Sequence, residues 1–357
     1  MEISCKNNIF ASNLNLLLSM RKQIAIVAAF ILAVFNMTSC NSKPKQEVPV
    51  VEARVIVDSS LVYVTRDISP ESLIKIYQAL NRPVMGRVAV KISTGEAGNP
   101  NSLKPELITP FVRAVGGTLV ECCTAYGGKR TTVKEHRKVI HDHGYDKVAH
   151  VDLMDEDGEY RIPVRDTTWI KYDIVGDHLT RYDFMINLAH FKGHPMGGLG
   201  GVIKNQSIGV ASANGKAYIH TAGLQNYVEG MWEHTDNQDG FLESMAAAAQ
   251  AVADVFGDKI LYISVMNNMS VDCDCVAHPE KVEIADYGIL ASLDPVALDQ
   301  ACVDIVFGME KTADSNNEPL KERISSRHGV HTIEHAEKIG LGTRSYKLIS
   351  IDEPQNP

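Results

Sequence analysis

From residue 54 to the C-terminus, apolar runs of strand length alternate with segments whose apolar residues recur at helical spacing. No other feature restricts the fold as strongly, because a helix between two buried strands must pack back on the sheet they build. Ser69, Pro70 and Glu71 supply a helix N-cap and a proline in the first turn, and Leu73, Ile74, Ile76, Tyr77 and Leu80 follow at helical spacing. "RVAVKI" (87–92) reads as a strand, "PELITPFVRAV" as a helix closed by Gly116 and Gly117, and "TLVECC" as the next strand. "TTVKEHRKVIHDHG" is again helical, and "KVAHVDL" again a strand. "YDFMINLA" is apolar except at Asp183 and Asn187, as expected of a strand buried on both faces. An alanine-rich helix over 240–257 precedes the strands "KILYISVM" and "YGILAS". Asp294 and Pro295 then cap the helix "PVALDQACVDIVFG", and 314–329 reads as a surface excursion before a last helix and strand. The pattern predicts one α/β domain over 54–357, a three-layer fold whose largely parallel sheet carries helices on both faces.

Charge narrows the function classes. The 357 residues carry a net charge of -9, 45% of them are hydrophobic and 22% charged, with both signs interspersed. Phosphate-backbone binding needs a concentrated basic face, so nucleic acid is not an expected partner.

The first forty residues are set apart. Met20, Arg21 and Lys22 precede the apolar run "IAIVAAFILAVF" and then "MTSC", the charged–apolar–small order of a secretory signal. Twelve apolar residues fall short of the ~20 that span a bilayer. The ending on Cys40 is that of a bacterial lipoprotein leader, with Cys40 as the lipidated residue, Met37 standing where leucine is usual, and Met20 a candidate true start. The alternative is an apolar segment retained as an anchor. Residues 41–53 form a polar, proline-containing tether. The expectation is an exported chain held at a bacterial membrane, on its periplasmic or outer face, through the lipid anchor alone. Of seven cysteines, Cys5 and Cys40 fall in this leader, which leaves five without the spacing of a disulfide scaffold.

Three stretches carry chemistry. In "NLAHFKGHP" the residues His190, Lys192 and His194 alternate, so on an extended chain they point the same way from the end of a buried strand. Ligands of open α/β sheets bind at such strand ends, and a lysine beside two histidines keeps them neutral, suited to proton transfer or metal binding. The plainer alternative is two histidines satisfying local backbone and a solvated lysine. "GGLGG" fits neither standard phosphate loop: Ile203 stands where a dinucleotide fold needs its third glycine, and Asn205 follows Lys204. What remains is a backbone at Gly198 and Gly200 that a ligand can approach closely, with Lys204 and Asn205 as anion and carbonyl contacts. In "VDCDC", Cys273 and Cys275 can face one ion, and His278 lies near enough in sequence to join them. Cys122 and Cys123 read as core residues.

In this order, "NLAHFKGHPMGGLGGVIKNQSIGVAS", "VDCDC" and "DYGILASLDPVALDQACVDIV" resemble the family catalogued as domain of unknown function 362, over about residues 54–350. The resemblance implies that His190, Lys192, His194, Lys204, Asn205, Cys273, Cys275 and Asp294 occupy recurrent positions, which adds Asp294 to the ligand-binding candidates. Members are often labelled iron–sulfur centre proteins and carry a cysteine-rich insert after the segment matching "SIGVAS". Here "ANGKAYIHTAGLQNYVEGMWEHTDNQDG" fills that interval without a cysteine, so no iron–sulfur cluster is expected.

The sequence therefore predicts an enzyme, metal-dependent or an oxidoreductase, acting on a small anionic substrate. His190, Lys192 and His194 are its catalytic candidates, with the histidines as metal ligands or acid–base groups. Lys192 and Lys204 neutralise the anion. Cys273, Cys275 and His278 are the candidate ligands of a divalent metal, the two thiols alternatively a redox pair. A lipoprotein that binds a ligand or metal without turnover is the alternative.

Overall fold

The strands that read as wholly apolar lie in the middle of one eight-stranded sheet. The computed structural model describes residues 59–352, all within one compact unit. The leader, Cys40 and the tether lie outside the described residues. The strands are β1 (Ser60–Thr65), β2 (Val88–Lys91), β3 (Thr118–Glu121), β4 (Val151–Leu153), β5 (Glu159–Pro163) and β6 (Tyr172–Gly176). They continue with β7 (Phe184–His190), β8 (Lys192–His194), β9 (Gly198–Gly200), β10 (Ile260–Met266), β11 (Gly288–Ser292) and β12 (Tyr346–Ser350). The helices are α1 (Pro70–Ala79), α2 (Pro105–Ala114), α3 (Val133–Asp142), α4 (Val202–Gln206) and α5 (Ala213–His220). After them come α6 (Gln238–Phe256), α7 (Pro295–Gly308), α8 (Glu318–Ser326) and α9 (His331–Lys338).

The main sheet runs β12-β1-β11-β10-β7-β2-β3-β4. Every neighbouring pair is parallel except the two that β11 makes, with β1 and with β10. All residues of β7 and β10 are buried, and alternation sends them to two cores. Met185 and Ala189 of β7 join Ile260, Tyr262 and Met266 of β10 in one core, with apolar side chains of α4, α6, α7 and α9. Phe184, Ile186 and Leu188 join Leu261, Ile263 and Val265 in the other, against α1, α2 and α3. This is the three-layer α/β architecture. Each fully buried leucine or isoleucine contributes roughly 1.5–3 kcal/mol, so the double-sided burial of β7 and β10 fixes their place at the centre.

Local signals held at the helix starts. The Ser69 side chain accepts from Ser72 N at 3.2 Å, and Asp294 accepts from Val296 N and Ala297 N at 2.8 and 3.1 Å. Two segments differ from expectation. Residues 314–329 are not merely a surface excursion: they contain α8, whose Leu320 and Ile324 are buried, so the segment covers apolar surface. The glycine-rich stretch is not a loop but an antiparallel ribbon pairing Lys192 with Gly200 and His194 with Gly198. Gly193 is required there, since a Cβ would lie 2.1 Å from the Val271 carbonyl oxygen. Among the described residues, no helix is long and apolar enough to cross a membrane.

Candidate functional site

Because β2, β3, β7 and β10 are parallel, their carboxyl ends share one rim. Lys91 ends β2, Glu121 ends β3, His190 ends β7, and the segment carrying Cys273 and Cys275 follows β10. There a cavity of about 290 Å³ opens between the ribbon, α4 and the cysteine segment. Lys192, His194, Gly200, Lys204 and Asn205 line it together with Cys273 and Cys275, and Trp232 stands half-exposed near the mouth.

His194, Cys273 and Cys275 offer donor atoms that all lie within 4.8 Å of one another, a group able to hold a metal ion. The ribbon also fixes the protons of the imidazole. Its Nδ1 accepts the backbone N–H of Gly197 at 2.8 Å and of Met196 at 3.2 Å. In a neutral ring the proton then sits on Nε2, and the hydrogen bond joining His194 to Cys273 is one the ring donates. Burial, with Lys204 adding to it, lowers His194 to about 4, so the ring is neutral at physiological pH. The Cys273 thiol is pulled well below its ordinary value, first by a hydrogen bond from Cys275 and then by Lys204 and His194, which together outweigh burial. Cys275 is pushed the opposite way by the same bond and by burial. The pair therefore shares its charge unequally, with the negative charge favoured on Cys273.

Cations dominate the wall. Lys91, Arg130, Lys192, Lys204 and Lys216 line the cavity, and among lining residues Glu121 is the sole carboxylate. Arg130 donates to Glu121 Oε1 at 2.8 Å, and Lys192 Nζ lies 2.8 Å from Asp274 Oδ2. Lys216 donates to the Ala211 carbonyl at 2.6 Å and Lys91 to Asn205 Oδ1 at 3.1 Å, neither of them a charged partner. Burial lowers Lys91 to about 8, with Glu121 opposing the shift. The Lys204 carbonyl accepts from Gly209 N and Ser207 Oγ, but its ammonium makes no hydrogen bond or ion pair with any described residue and so is available to a ligand.

Other sequence candidates sit elsewhere. His190 cannot act as a ligand or base in this arrangement, because both ring nitrogens are engaged: Nδ1 with Asp274 Oδ1 at 2.9 Å, Nε2 with the Asn267 carbonyl at 2.6 Å. Its ring is a brace between β7 and the cysteine segment. His278 is exposed and lies beside Gly98, away from the thiols. Gly198 packs on Gly329, where a Cβ would come within 2.8 Å of its Cα, so it serves the ribbon and not the cavity. Asp294 is on the opposite rim: β11 runs antiparallel to β10, pairing Ser292 with Tyr262, which carries the end of β11 away from the cysteines. There its carboxylate caps α7 and accepts from Ser60 Oγ and Thr343 N.

Residues missed at first carry much of the site. Asp274 alternates with the two cysteines in "DCDC", so it points away from them and grips His190 and Lys192. Burial alone would raise its carboxyl, but His190 and Lys192 hold it below the ordinary carboxylate range. Lys91 and Glu121 were visible as single charges ending apolar strands. Asp299, inside an apolar helix, receives Val202 N at 2.8 Å and Ile203 N at 2.9 Å and so caps α4, which bears Lys204. Cys122 and Cys123 are buried thiols, pushed up by burial, Cys123 to about 12, in keeping with inert packing.

Fold and site together define a three-layer α/β protein with a cation-lined dithiol cavity at its parallel strand ends. The model of the domain of unknown function DUF362 matches residues 88–304, well over half of the chain, and the chain belongs to that family. No curated protein matches it significantly. Two solved structures are distantly similar. The lactate racemase apoprotein of Thermoanaerobacterium thermosaccharolyticum is 15% identical with a TM-score of 0.33, the match covering 61% of this chain and 55% of that one. A Thermotoga maritima protein is 11% identical with a TM-score of 0.38, covering 75% and 58%. The chain thus spans little more than half of either protein, and the likenesses carry no functional argument.

Proposed function

We propose that the cavity is the active site of an enzyme that acts on a small anionic substrate through the sulfur of Cys273. The wiring of His194 carries this reading: with two backbone N–H groups on Nδ1, the ring presents an N–H to the thiols. A donated N–H, the second thiol of Cys275 and the ammonium of Lys204 all favour negative charge on sulfur. A sulfur held in this way serves as a nucleophile or, with Cys275, as a redox dithiol. The cavity volume is at the small end of ligand sites, and the cationic wall selects for an anion. Competition between iodoacetate and iodoacetamide near pH 6, read by peptide mass spectrometry, tests both halves. Cys273 should be alkylated first, and faster by the anionic reagent than by the neutral one. An unreactive Cys273, or a preference for the neutral reagent, would overturn the proposal.

The 4.8 Å donor cluster favours a second reading, in which Cys273 and Cys275 hold a divalent metal. His194 fits it less well, because a metal on Nε2 needs the proton on Nδ1, where two N–H groups already point. Metal content of the wild type against the Cys273→Ser/Cys275→Ser variant decides: a stoichiometric divalent ion lost with the thiols supports this reading, and equal metal content in both supports the first. Iron with sulfide would overturn the expectation of no cluster. Tight ligand binding without turnover would make the chain a binding protein.

For location, we propose export and lipid anchoring at Cys40, supported by the charged–apolar–small leader. Cys40→Ser should release the protein from membranes, and unchanged membrane association counts against the anchor.

A further inference from the structure

A second histidine cluster lies outside the cavity, where the turn after α8 and the first turn of α9 meet α6. His328, His331 and Glu334 offer donor atoms within 4.8 Å of one another. The two rings stack with centroids 4.7 Å apart and planes 15° from parallel, so one ion takes both nitrogens only after the exposed His328 ring turns out of the stack. Each ring gives one nitrogen to a carboxylate of α6: His328 Nδ1 lies 2.7 Å from Asp239 Oδ1, and His331 Nε2 lies 3.1 Å from Glu243 Oε1. Those bonds leave His328 Nε2 and His331 Nδ1 for another partner, and Glu334 Oε2 is 3.8 Å from the latter. The supporting carboxylates are themselves held. Trp169 Nε1 donates to Glu243 Oε2 at 2.7 Å, and His335 Nδ1 is 3.3 Å from Glu243 Oε1.

We propose that His328, His331 and Glu334 bind a divalent transition-metal ion, of the zinc, nickel, cobalt or copper class. An imidazole whose far nitrogen is hydrogen-bonded to a carboxylate is the usual support of a metal ligand, since the carboxylate sets the tautomer and raises the basicity of the free nitrogen. Two imidazoles and one carboxylate make a borderline donor set that prefers these ions over magnesium or calcium, with water completing the coordination. Exposure of His328 and Glu334 gives the ion a way in. The positive end of the α9 dipole opposes a cation there, and Glu334, Asp239 and Glu243 supply the countering charge.

The position gives the ion a structural consequence. His328 stands at a φ of +54°, in the turn whose Gly329 packs on Gly197 and Gly198 of the ribbon. Gln238 ties the same turn to the ribbon, donating to the carbonyls of Arg327 and Met196 at 2.7 and 2.8 Å. A metal joining His328 to α9 therefore steadies the turn against which the His194 loop rests.

Untagged full-length protein stripped with a chelator tests this by titration with cobalt and zinc. The Cys273→Ser/Cys275→Ser variant should still bind one cobalt with weak visible bands and no thiolate charge-transfer band. His328→Asn should weaken zinc binding at this site at least tenfold in competition with a chromophoric chelator, and asparagine tolerates the positive φ, so the fold is kept. Glu334→Gln should weaken it in the same direction. Equal zinc stoichiometry and affinity in wild type and His328→Asn, or no metal bound by the double cysteine variant, would overturn the proposal. Neither result bears on the thiol chemistry of the cavity.

Discussion

His194 takes two backbone N–H groups on one nitrogen and offers its own N–H to sulfur, whereas His328 and His331 each lose a nitrogen to a carboxylate and keep the other bare. Backbone donors turn an imidazole into a donor, and carboxylate acceptors turn it into an acceptor. The side chain is the same in both places. Its neighbours decide whether it offers a proton or a lone pair.

The sharpest way to break this contrast uses one substitution type in both regions. Asp274→Asn leaves the buried Lys192 ammonium unpaired and should cost roughly 3–5 kcal/mol, read from the urea midpoint. Asp239→Asn removes the exposed partner of His328 and should change stability by no more than about 1 kcal/mol. Equal costs would show that burial is not what separates the two regions. The acid limb should follow the same rule. The Asp274 carboxyl is held below its unfolded value, so its stabilisation is full above the ordinary carboxylate range and is lost as pH falls beneath it.

Reactivity comes next in size. Cys273→Ser/Cys275→Ser should cut labelling by iodoacetate at neutral pH by roughly a hundredfold, because burial pushes the remaining described thiols up. His328→Asn should leave the rate unchanged. Labelling that persists at another cysteine moves the reactive sulfur elsewhere. Lys204→Met should then slow both reagents, and iodoacetate about tenfold more than iodoacetamide, since the charge it removes both holds the Cys273 thiol down and draws the anion. An equal drop for both reagents would mean that Lys204 acts on the thiol alone and does not draw the anion.

The smallest effect concerns a second buried aspartate with poorer company. Asp173 receives one backbone N–H, from Ile174 at 2.8 Å, and burial raises its carboxyl to about 7 against that bond and the charge of Lys216. Its folded value is above the unfolded one. Its stabilisation is therefore full below about pH 4 and lost as pH rises through about 7. Asp173→Asn should match wild type near pH 4 and be the more stable of the two at pH 8. A variant less stable at both pH values would show that the carboxylate is satisfied.

Much of the fold was legible because burial writes itself into local periodicity. β7 and β10 read correctly as buried strands, since apolar residues fill both faces of each and only Asn187, His190 and Ser264 interrupt them. The rim location of "HFKGH" and "VDCDC" followed from parallel strands, and the structure brings His194, Lys192 and Lys204 to the two cysteines about seventy residues away in sequence. The roles inside that cluster were less legible. His190 and His194 look alike in the sequence, yet one is braced by Asp274 and Asn267 and the other faces sulfur. Glycines in the ribbon signalled close approach without saying to what. Gly193 meets the Val271 carbonyl, Gly198 meets Gly329, and Gly200 alone of the predicted pair lines the cavity.

The sequence by itself determined the layers, the central strands and the strand-end position of the cavity, because alternation and helical spacing are properties of neighbouring residues. Only the tertiary structure decided the direction of β11, since five buried residues carry no sign of which way a strand runs; with it went the place of Asp294. It also decided every protonation state that matters. The partners of His190, His328 and His331 stand 84, 89 and 88 residues away, and Asp274 is about eighty residues from the Lys192 it also holds. Hydrogen bonds at that separation exist only once the sheet and its helices have closed, and they fix which nitrogen carries a proton and which sulfur carries a charge.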